Sequence, residues 1–341
     1  MLSKYEGRPF AGIELDELRA FLNDSGLAYE DDITFSVIFR AEDGRICATG
    51  SRNGCVLKCI CVAEKYRGEG LLSALMTALT TQAALDGAYR LFLYTKPQNA
   101  DMFIPFGFSP VIETDSMLYM ENCRGGVARY VASLRAETPG CGGLIGSVVV
   151  NCNPFTLGHR QLIERASADC DLLHVFVLSA DVSEFPAEAR YALVRQGVED
   201  LPNVTVHRTE NYIISAATLP RYFLRGDAAD AACFTLDLSL FAQRIARPLN
   251  ITRRYVGSEP FSPFTASYNA AMKALLPRYG ISVIEIPRLE SDGTAISASA
   301  VRRMLVSGSI QGLEKLVPRS TLEYLSSAEG RAVCEKLRRM A

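Results

Sequence analysis

The chain has 341 residues, 36 Lys and Arg against 38 Asp and Glu, a formal charge of −2 and 48% hydrophobic residues, which suits two domains that each bury a core of their own. So even a balance lacks the concentrated positive surface that DNA, RNA or an anionic membrane calls for, so a large nucleic-acid interface is not expected. Within the longest uncharged stretch, Cys141 to Gly158 holds two Asn, one Pro and four Gly, the wrong chemistry for a membrane span, and MLSKYEGRPF lacks the apolar centre of a signal peptide; a soluble cytoplasmic protein is expected.

The spacing of Ile13, Leu15, Leu18 and Leu22 predicts an amphipathic helix in IELDELRAFLN. ITFSVIFRA, ICATGSR and VLKCICV read as strands joined by turns at Glu42-Asp43-Gly44 and Asn53-Gly54, an antiparallel meander. After Tyr66-Arg67-Gly68-Glu69-Gly70 come a helix, LLSALMTALTTQAALDG, a strand, YRLFLYT, then MFIPFGF and a further strand, SMLYME. A helix-like VARYVASLRAE gives way to TPGCGG, whose Pro and Gly content marks a linker. The boundary is expected there, giving domains 1–140 and 141–341. From Leu144 the pattern alternates. LIGSVVV reads as a strand buried on both faces, followed by CNPFTLGH, a helix HRQLIERASAD, a strand LLHVFVLS, a helix from about Ala187 to Asp200 and a strand near VTVHR. RYVGSE, a helix ASYNAAMKALL, a strand ISVIEIP and a helix starting near Ser299 close the series. Strand and helix in alternation with short connections predict a doubly wound parallel sheet.

The ten cysteines lie mostly in apolar runs, as small buried hydrophobes of a reducing compartment do, rather than in a disulfide framework. Cys55, Cys59 and Cys61 come nearest to a zinc set, but Cys59 and Cys61 are expected on one face of a strand with no His close in sequence, so no metal site is assigned. His174, inside LLHVFVL, reads as a core or strand-end residue, and His207, ending VTVH, as facing solvent.

Two stretches carry chemistry. Asn153-Pro154-Phe155-Thr156-Leu157-Gly158-His159 sits between a buried strand and a helix, where an open parallel sheet places its ligands. Free N–H groups at the helix start attract phosphate, Gly158 permits a close backbone approach, and His159 can donate to a phosphate oxygen as charge builds up; a plain Asn-Pro turn with a capping His is the alternative. Ile296-Ser297-Ala298-Ser299-Ala300-Val301-Arg302 offers a helix start capped by Ser297 or Ser299 with Arg302 in reach of a triphosphate; an ordinary cap with a solvated Arg is the alternative.

Together, TLGH and ISASAVR resemble the two signature motifs of the nucleotidyltransferase superfamily, with Thr156 an accepted variant at the first position and Ala298-Ser299 in place of Ser-Thr. The resemblance implies a Rossmann-like, cytidylyltransferase-like domain over 141–341 in which a nucleophile attacks the α-phosphate of ATP with Mg²⁺ assistance and pyrophosphate is lost. Arg67-Gly68-Glu69-Gly70-Leu71-Leu72 is similar to the coenzyme A loop of GNAT acetyltransferases, and FIPFGF to a later stretch of that family, implying a GNAT-like α+β domain over 1–140. Leu72 stands where that family has Gly or Ala, which would crowd coenzyme A.

The combination, with NCNPFTLGHRQLIE, NYIISAATLPRYFL and YVGSEPFSPFTASYN, resembles the citrate (pro-3S)-lyase ligase family. What this implies is activation of acetate by ATP as acetyl-adenylate and acetylation of the prosthetic-group thiol on the citrate lyase acyl carrier protein, with release of AMP and pyrophosphate. His159 and Arg302 would then stabilise phosphates, Thr156 and Gly158 bind ATP, Ser297 anchor at its helix start, and Gly257 let the nucleotide pack against backbone. Arg67, Gly68 and Gly70 would receive the pyrophosphate of the coenzyme A-like prosthetic group. A phosphopantetheine-type adenylyltransferase fused to an acetyltransferase, and a non-catalytic carrier-protein or coenzyme A binding module, are the alternatives.

Overall fold

The computed structural model describes residues 2–140, 142–180, 183–213, 222–224, 227–259, 262–291, 294–308 and 311–340. The chain forms two compact units, Met1–Gly126 with Leu219–Leu236, and Val127–Thr218 with Asp237–Ala341.

The first unit contains β1 (Ser3–Gly7), α1 (Gly12–Asp24), β2 (Phe35–Arg40), β3 (Ile46–Asn53), β4 (Val56–Val62), α2 (Leu71–Leu85), β5 (Phe92–Thr95), α3 (Ala100–Phe103), β6 (Ser109–Glu113) and β7 (Leu118–Glu121). Its seven strands run in the order β1-β2-β3-β4-β5-β7-β6, and β2, β3 and β4 form the expected meander. The apolar face of α2, Leu71, Leu75, Met76, Leu79 and Ala83, packs into a core with Val37, Ala48, Leu57 and Leu93 from the strands. Gly50 on β3 is where the helix comes closest: an added Cβ would lie 2.8 Å from a Leu79 methyl carbon. The β4–β5 pair is parallel, and its ladder holds only Val56 with Phe92 and Leu57 with Leu93. On β4 the register against β3 shifts between Thr49 and Ser51, and Cys59 takes a φ of 52°, the mark of a bulge; Cys59 is buried and Cys61 half-buried, while Ile60 and Val62 pack against the α2 core.

Beyond these lie α4 (Gly126–Ala136), β8 (Ile145–Val150), α5 (Leu157–Ala168), β9 (Leu172–Val177), α6 (Ala187–Gly197), β10 (Val204–Arg208), α7 (Asp227–Leu240), which continues as a π-helical turn Phe241–Ala246, and β11 (Ile251–Gly257). They are followed by α8 (Pro263–Leu275), β12 (Ser282–Ile286), the two-residue strands β13 (Glu290–Ser291) and β14 (Thr294–Ala295), α9 (Ala298–Ser307), α10 (Arg319–Ser326) and α11 (Ala328–Met340). The strand order β10-β9-β8-β11-β12, parallel throughout, is that of a doubly wound sheet, with the direction of winding reversing between β8 and β11. Val148 and Val150 of the triple-Val run pack with Ile163 and Ala166 of α5 and with Leu193 and Val194 of α6. A third cluster, Val301, Leu305, Leu313, Val317, Val333 and Leu337 around Phe185, ties α9 to α11.

His207 does not face solvent. It is 1% exposed, as is His174. The parallel pairing of β9 and β10 brings the two rings together in a tilted arrangement, with Nδ1 of His174 3.0 Å from Nε2 of His207, whose Nδ1 lies 3.2 Å from Glu137 Oε2. Burial lowers both, His174 to about 3, with the neighbouring His207 adding to the effect, and His207 to about 4. Among the described residues no helix is long and apolar enough to cross a membrane.

Candidate functional site

Where the winding reverses between β8 and β11, loops leave the strand ends in opposite directions and open a crevice beyond their carboxyl termini. A cavity of about 410 Å³ occupies it, and Thr156, Gly158, His159, Gly257 and Ser297 all line it. Both sequence motifs therefore reach one space.

Thr156 caps α5 from an extended backbone conformation, its hydroxyl accepting from the His159 N–H at 3.4 Å. In return the Thr156 N–H donates to Nδ1 of His159 at 3.1 Å, a capping box with His at the third helical position. A ring nitrogen that accepts a hydrogen bond carries no proton, so the neutral imidazole holds its hydrogen on Nε2. Burial, with the Arg288 charge adding to it, lowers His159 to about 4. Near neutral pH the residue is an uncharged Nε2–H donor. The cluster of free amides expected at this helix start is smaller than the sequence suggests. Leu157 N–H donates to the Leu316 carbonyl at 2.9 Å and His159 N–H to Thr156, leaving the Gly158 amide as the first-turn N–H without an acceptor among the described residues.

Gly158 is required by a contact inside the protein. A Cβ there would lie 3.0 Å from the carbonyl oxygen of Ile296, so the absent side chain lets the first motif touch the head of the second. Ser297, rather than Ser299, caps α9, its hydroxyl accepting from the Ala300 N–H at 3.1 Å. Gly257 ends β11 with open space on its side-chain side, and its carbonyl accepts from Asn269 Nδ2 at 3.1 Å.

Arg302 is not among the residues lining the cavity. Its Nη1 donates to the Asn153 carbonyl at 2.6 Å, its Nη2 lies 3.4 Å from Ser299 Oγ, and its Nε pairs with Glu184 at 3.3 Å. Asn153 Nδ2 donates to Glu184 and its Oδ1 accepts from the Phe185 N–H at 3.1 Å. The guanidinium thus holds the loop that delivers Thr156 and His159. Arg190, fully buried on α6, does similar work from below, donating to the carbonyls of Asn151, Leu178, Ala180 and Phe185.

Three charged cavity residues escaped the sequence reading: Arg254, Glu259 and Arg288. Arg288 Nε donates to the Ser258 carbonyl at 2.6 Å and its Nη2 pairs with Glu259. The available signal was an Arg inside RRYVG, a charged residue in a strand otherwise patterned for burial. Among the described residues no three His, Cys, Asp or Glu gather to hold a metal; Glu259 is a carboxylate at the cavity wall.

A second cavity, about 690 Å³, lies in the first unit and is lined by Arg67, Gly68 and Gly70. It opens where the short β4–β5 ladder ends, between Ile60, Cys61 and Val62 on one strand and Leu93, Tyr94 and Thr95 on the other. Gly68 and Gly70 have φ of 86° and 78°, the left-handed region that favours glycine, and Gly70 starts α2. Leu72 also lines this cavity, and the Tyr222 hydroxyl donates to the Tyr94 carbonyl at 2.6 Å. Of the stretches singled out in the sequence, Ile214 to Arg221, Pro260 and Phe261, and Asp292 and Gly293 lie outside the described residues.

The family profile described as "Citrate lyase ligase C-terminal domain" matches residues 145–325, and that of the acetyltransferase (GNAT) family matches residues 6–108. The N-terminal part thus has the GNAT fold and the C-terminal part the Rossmann-like parallel sheet expected of it. The citrate (pro-3S)-lyase ligase of Klebsiella pneumoniae is 41% identical over 311 residues, 89% of this chain and 90% of that one. The enzyme of that name from Escherichia coli strain K12 is 39% identical over 323 residues, 92% and 91% of the two chains. A phosphopantetheine adenylyltransferase of Dehalococcoides mccartyi is 40% identical over 67 residues, 19% of this chain and 42% of that protein.

Proposed function

The chain belongs to the citrate lyase ligase family of enzymes, and from that premise we propose that it spends ATP to activate acetate and acetylates the thiol of the coenzyme A-like prosthetic group on the citrate lyase acyl carrier protein. In the first half-reaction a carboxylate oxygen of acetate bonds to the α-phosphorus of ATP while the bond from that phosphorus to the α,β-bridging oxygen breaks. Acetyl-adenylate and pyrophosphate result. In the second, the thiol sulfur bonds to the acetyl carbon, the carbon–oxygen bond to AMP breaks, and the thiol proton is lost to solvent.

The observation that carries this reading is the convergence of Thr156, His159, Gly257 and Ser297 on one cavity at the reversal point of the parallel sheet. The neutral His159 donates from Nε2 to phosphate oxygens and gains most as charge develops in the transition state. The Gly158 amide and the start of α9 at Ser297 add donors for the triphosphate, while open backbone at Gly257 accepts the flat face of the nucleotide. Arg302 acts as a positioning residue through the Asn153 loop. Mg²⁺ commonly takes one or two carboxylates plus substrate phosphates, a donor set that Glu259 and the triphosphate would supply, and when bound it neutralises phosphate charge. Residues 141–341 are assigned to this chemistry. Residues 1–140 are assigned to the prosthetic group, with Arg67, Gly68 and Gly70 taking its pyrophosphate, and the enzyme to the cytoplasm.

The test supplies ATP, Mg²⁺, acetate and deacetylated citrate lyase acyl carrier protein, and measures pyrophosphate, AMP and acetyl-thioester. Acetate-dependent pyrophosphate release with stoichiometric thioester is expected. Release that needs phosphopantetheine instead of acetate would replace this reading with the adenylyltransferase to which a short stretch is similar. Carrier binding without turnover would leave only a binding module.

A further inference from the structure

A guanidinium is buried in the wall of the nucleotide cavity with donors unfilled. Arg254 lies on β11, three residues before Gly257, on the same strand face as Val256 and beside Ser147 of β8. It is 5% exposed, it lines the cavity, and among the described residues neither Nε nor Nη1 has a hydrogen-bond partner. Below it the Phe241 ring centroid lies 4.7 Å from Cζ, a cation–π contact that meets a face of the guanidinium but none of its N–H groups. Asp237 and Tyr268 are the ionisable groups whose charge Arg254 feels, and the Tyr268 hydroxyl donates to Asp237. Burying a guanidinium with open donors is costly, and an incoming anion that fills them recovers that cost.

The surroundings choose among anions. Donors for a triphosphate already gather in this cavity around Thr156, His159 and Ser297, at the starts of α5 and α9. Val149, Val256, Phe264 and Met272 share the cavity with Arg254, an apolar wall suited to a short alkyl group. A carboxylate presents two coplanar oxygens that match the guanidinium fork, and its alkyl remainder needs apolar contact. We propose that Arg254 receives the carboxylate of the acid substrate, with these apolar side chains enclosing its methyl group. The proposal rests on the reading that this cavity joins a carboxylate to ATP.

The experiment compares wild type with Arg254→Met and Arg254→Lys in acetate-dependent ATP–pyrophosphate exchange, and measures acetate binding without ATP by ligand-observed NMR, with the neutral isostere acetamide as control. The KM for acetate is expected to rise about 100-fold in Arg254→Met, with the KM for ATP within about threefold of wild type. Arg254→Lys is expected to lose about tenfold in acetate KM, since a point charge replaces the fork. If Arg254→Met does not fold, the Lys variant decides by the same comparison. Acetate KM unchanged, or both KM values raised alike, would overturn the assignment while leaving adenylate formation standing. Wild type that binds acetate but not acetamide, loses that binding in Arg254→Lys, and yet shows no exchange would retain the carboxylate site and sink the adenylate reading.

Discussion

Replacing His159 by Ala removes two contributions of different size, and the structure separates them. The cap itself survives, because Thr156 Oγ1 accepts from a backbone N–H that Ala retains. What α5 loses is the Nδ1 acceptor for the Thr156 N–H at 3.1 Å and the stacking of the imidazole on Phe155 at 6.1 Å between centroids, together about 1–3 kcal/mol. The chemical step loses the Nε2–H donor, for which about 10² to 10³ in rate is typical of one preorganised donor at a developing oxyanion. His159→Gln should return the acceptor to the Thr156 N–H, as Gln does in a capping box, and recover the melting temperature while leaving exchange slow. The assay is acetate-dependent exchange of labelled pyrophosphate into ATP, read beside a thermal melt. Since His159 in the free enzyme titrates at about 4, kcat/KM for ATP should not vary through this group between pH 6 and 8. A folded His159→Ala enzyme exchanging at the wild-type rate would refute the role.

Arg302→Lys should cut exchange about tenfold or more, because one ammonium cannot hold both Asn153 and Glu184; unchanged kcat and melting temperature would remove Arg302 from the machinery. The His174–His207 pair predicts acid sensitivity. Both titrate lower in the folded protein than in the unfolded chain, so the unfolded chain binds protons first; the stability they contribute is full above about pH 6.5 and is lost as pH falls from there towards 4. The melting temperature should drop by about 5 °C or more between pH 7 and 5, and by less in His207→Gln; equal drops in both proteins would show that carboxylates, not this pair, set the acid limb. Gly70→Val places a branched side chain at a φ of 78° in the wall of the second cavity, a strain of about 1–2 kcal/mol. It should slow transfer to the carrier thiol while acetate-dependent exchange persists, and transfer at the wild-type rate on a folded variant would free that cavity of the prosthetic group.

Much of this protein follows from neighbours in sequence. The triple-Val run, the Ser cap of α9 and the helical periodicity of α1 depend on residues within a turn or two of one another, so strand, cap and helix were legible before any packing was known. The alternation from Leu144 onward also carried the parallel sheet, since short connections between strands and helices leave few other ways to cover both faces. What lay beyond reach were contacts between residues far apart in the chain. Arg302 reads locally as a solvated or phosphate-facing side chain, yet its partner is a carbonyl 149 residues away. His207 reads as a strand end, and becomes core because β10 pairs with β9 and sets it against His174. The apolar, Ala-rich stretch that forms α7 and its π-helical turn lacks a clear polar face, so periodicity did not mark it, although it supplies Phe241 beneath Arg254. Sequence thus determined the elements and the chemistry carried at their ends. Only tertiary structure decided which side chains those ends point at, because burial and the filling of each donor are settled by whatever the rest of the chain packs around it.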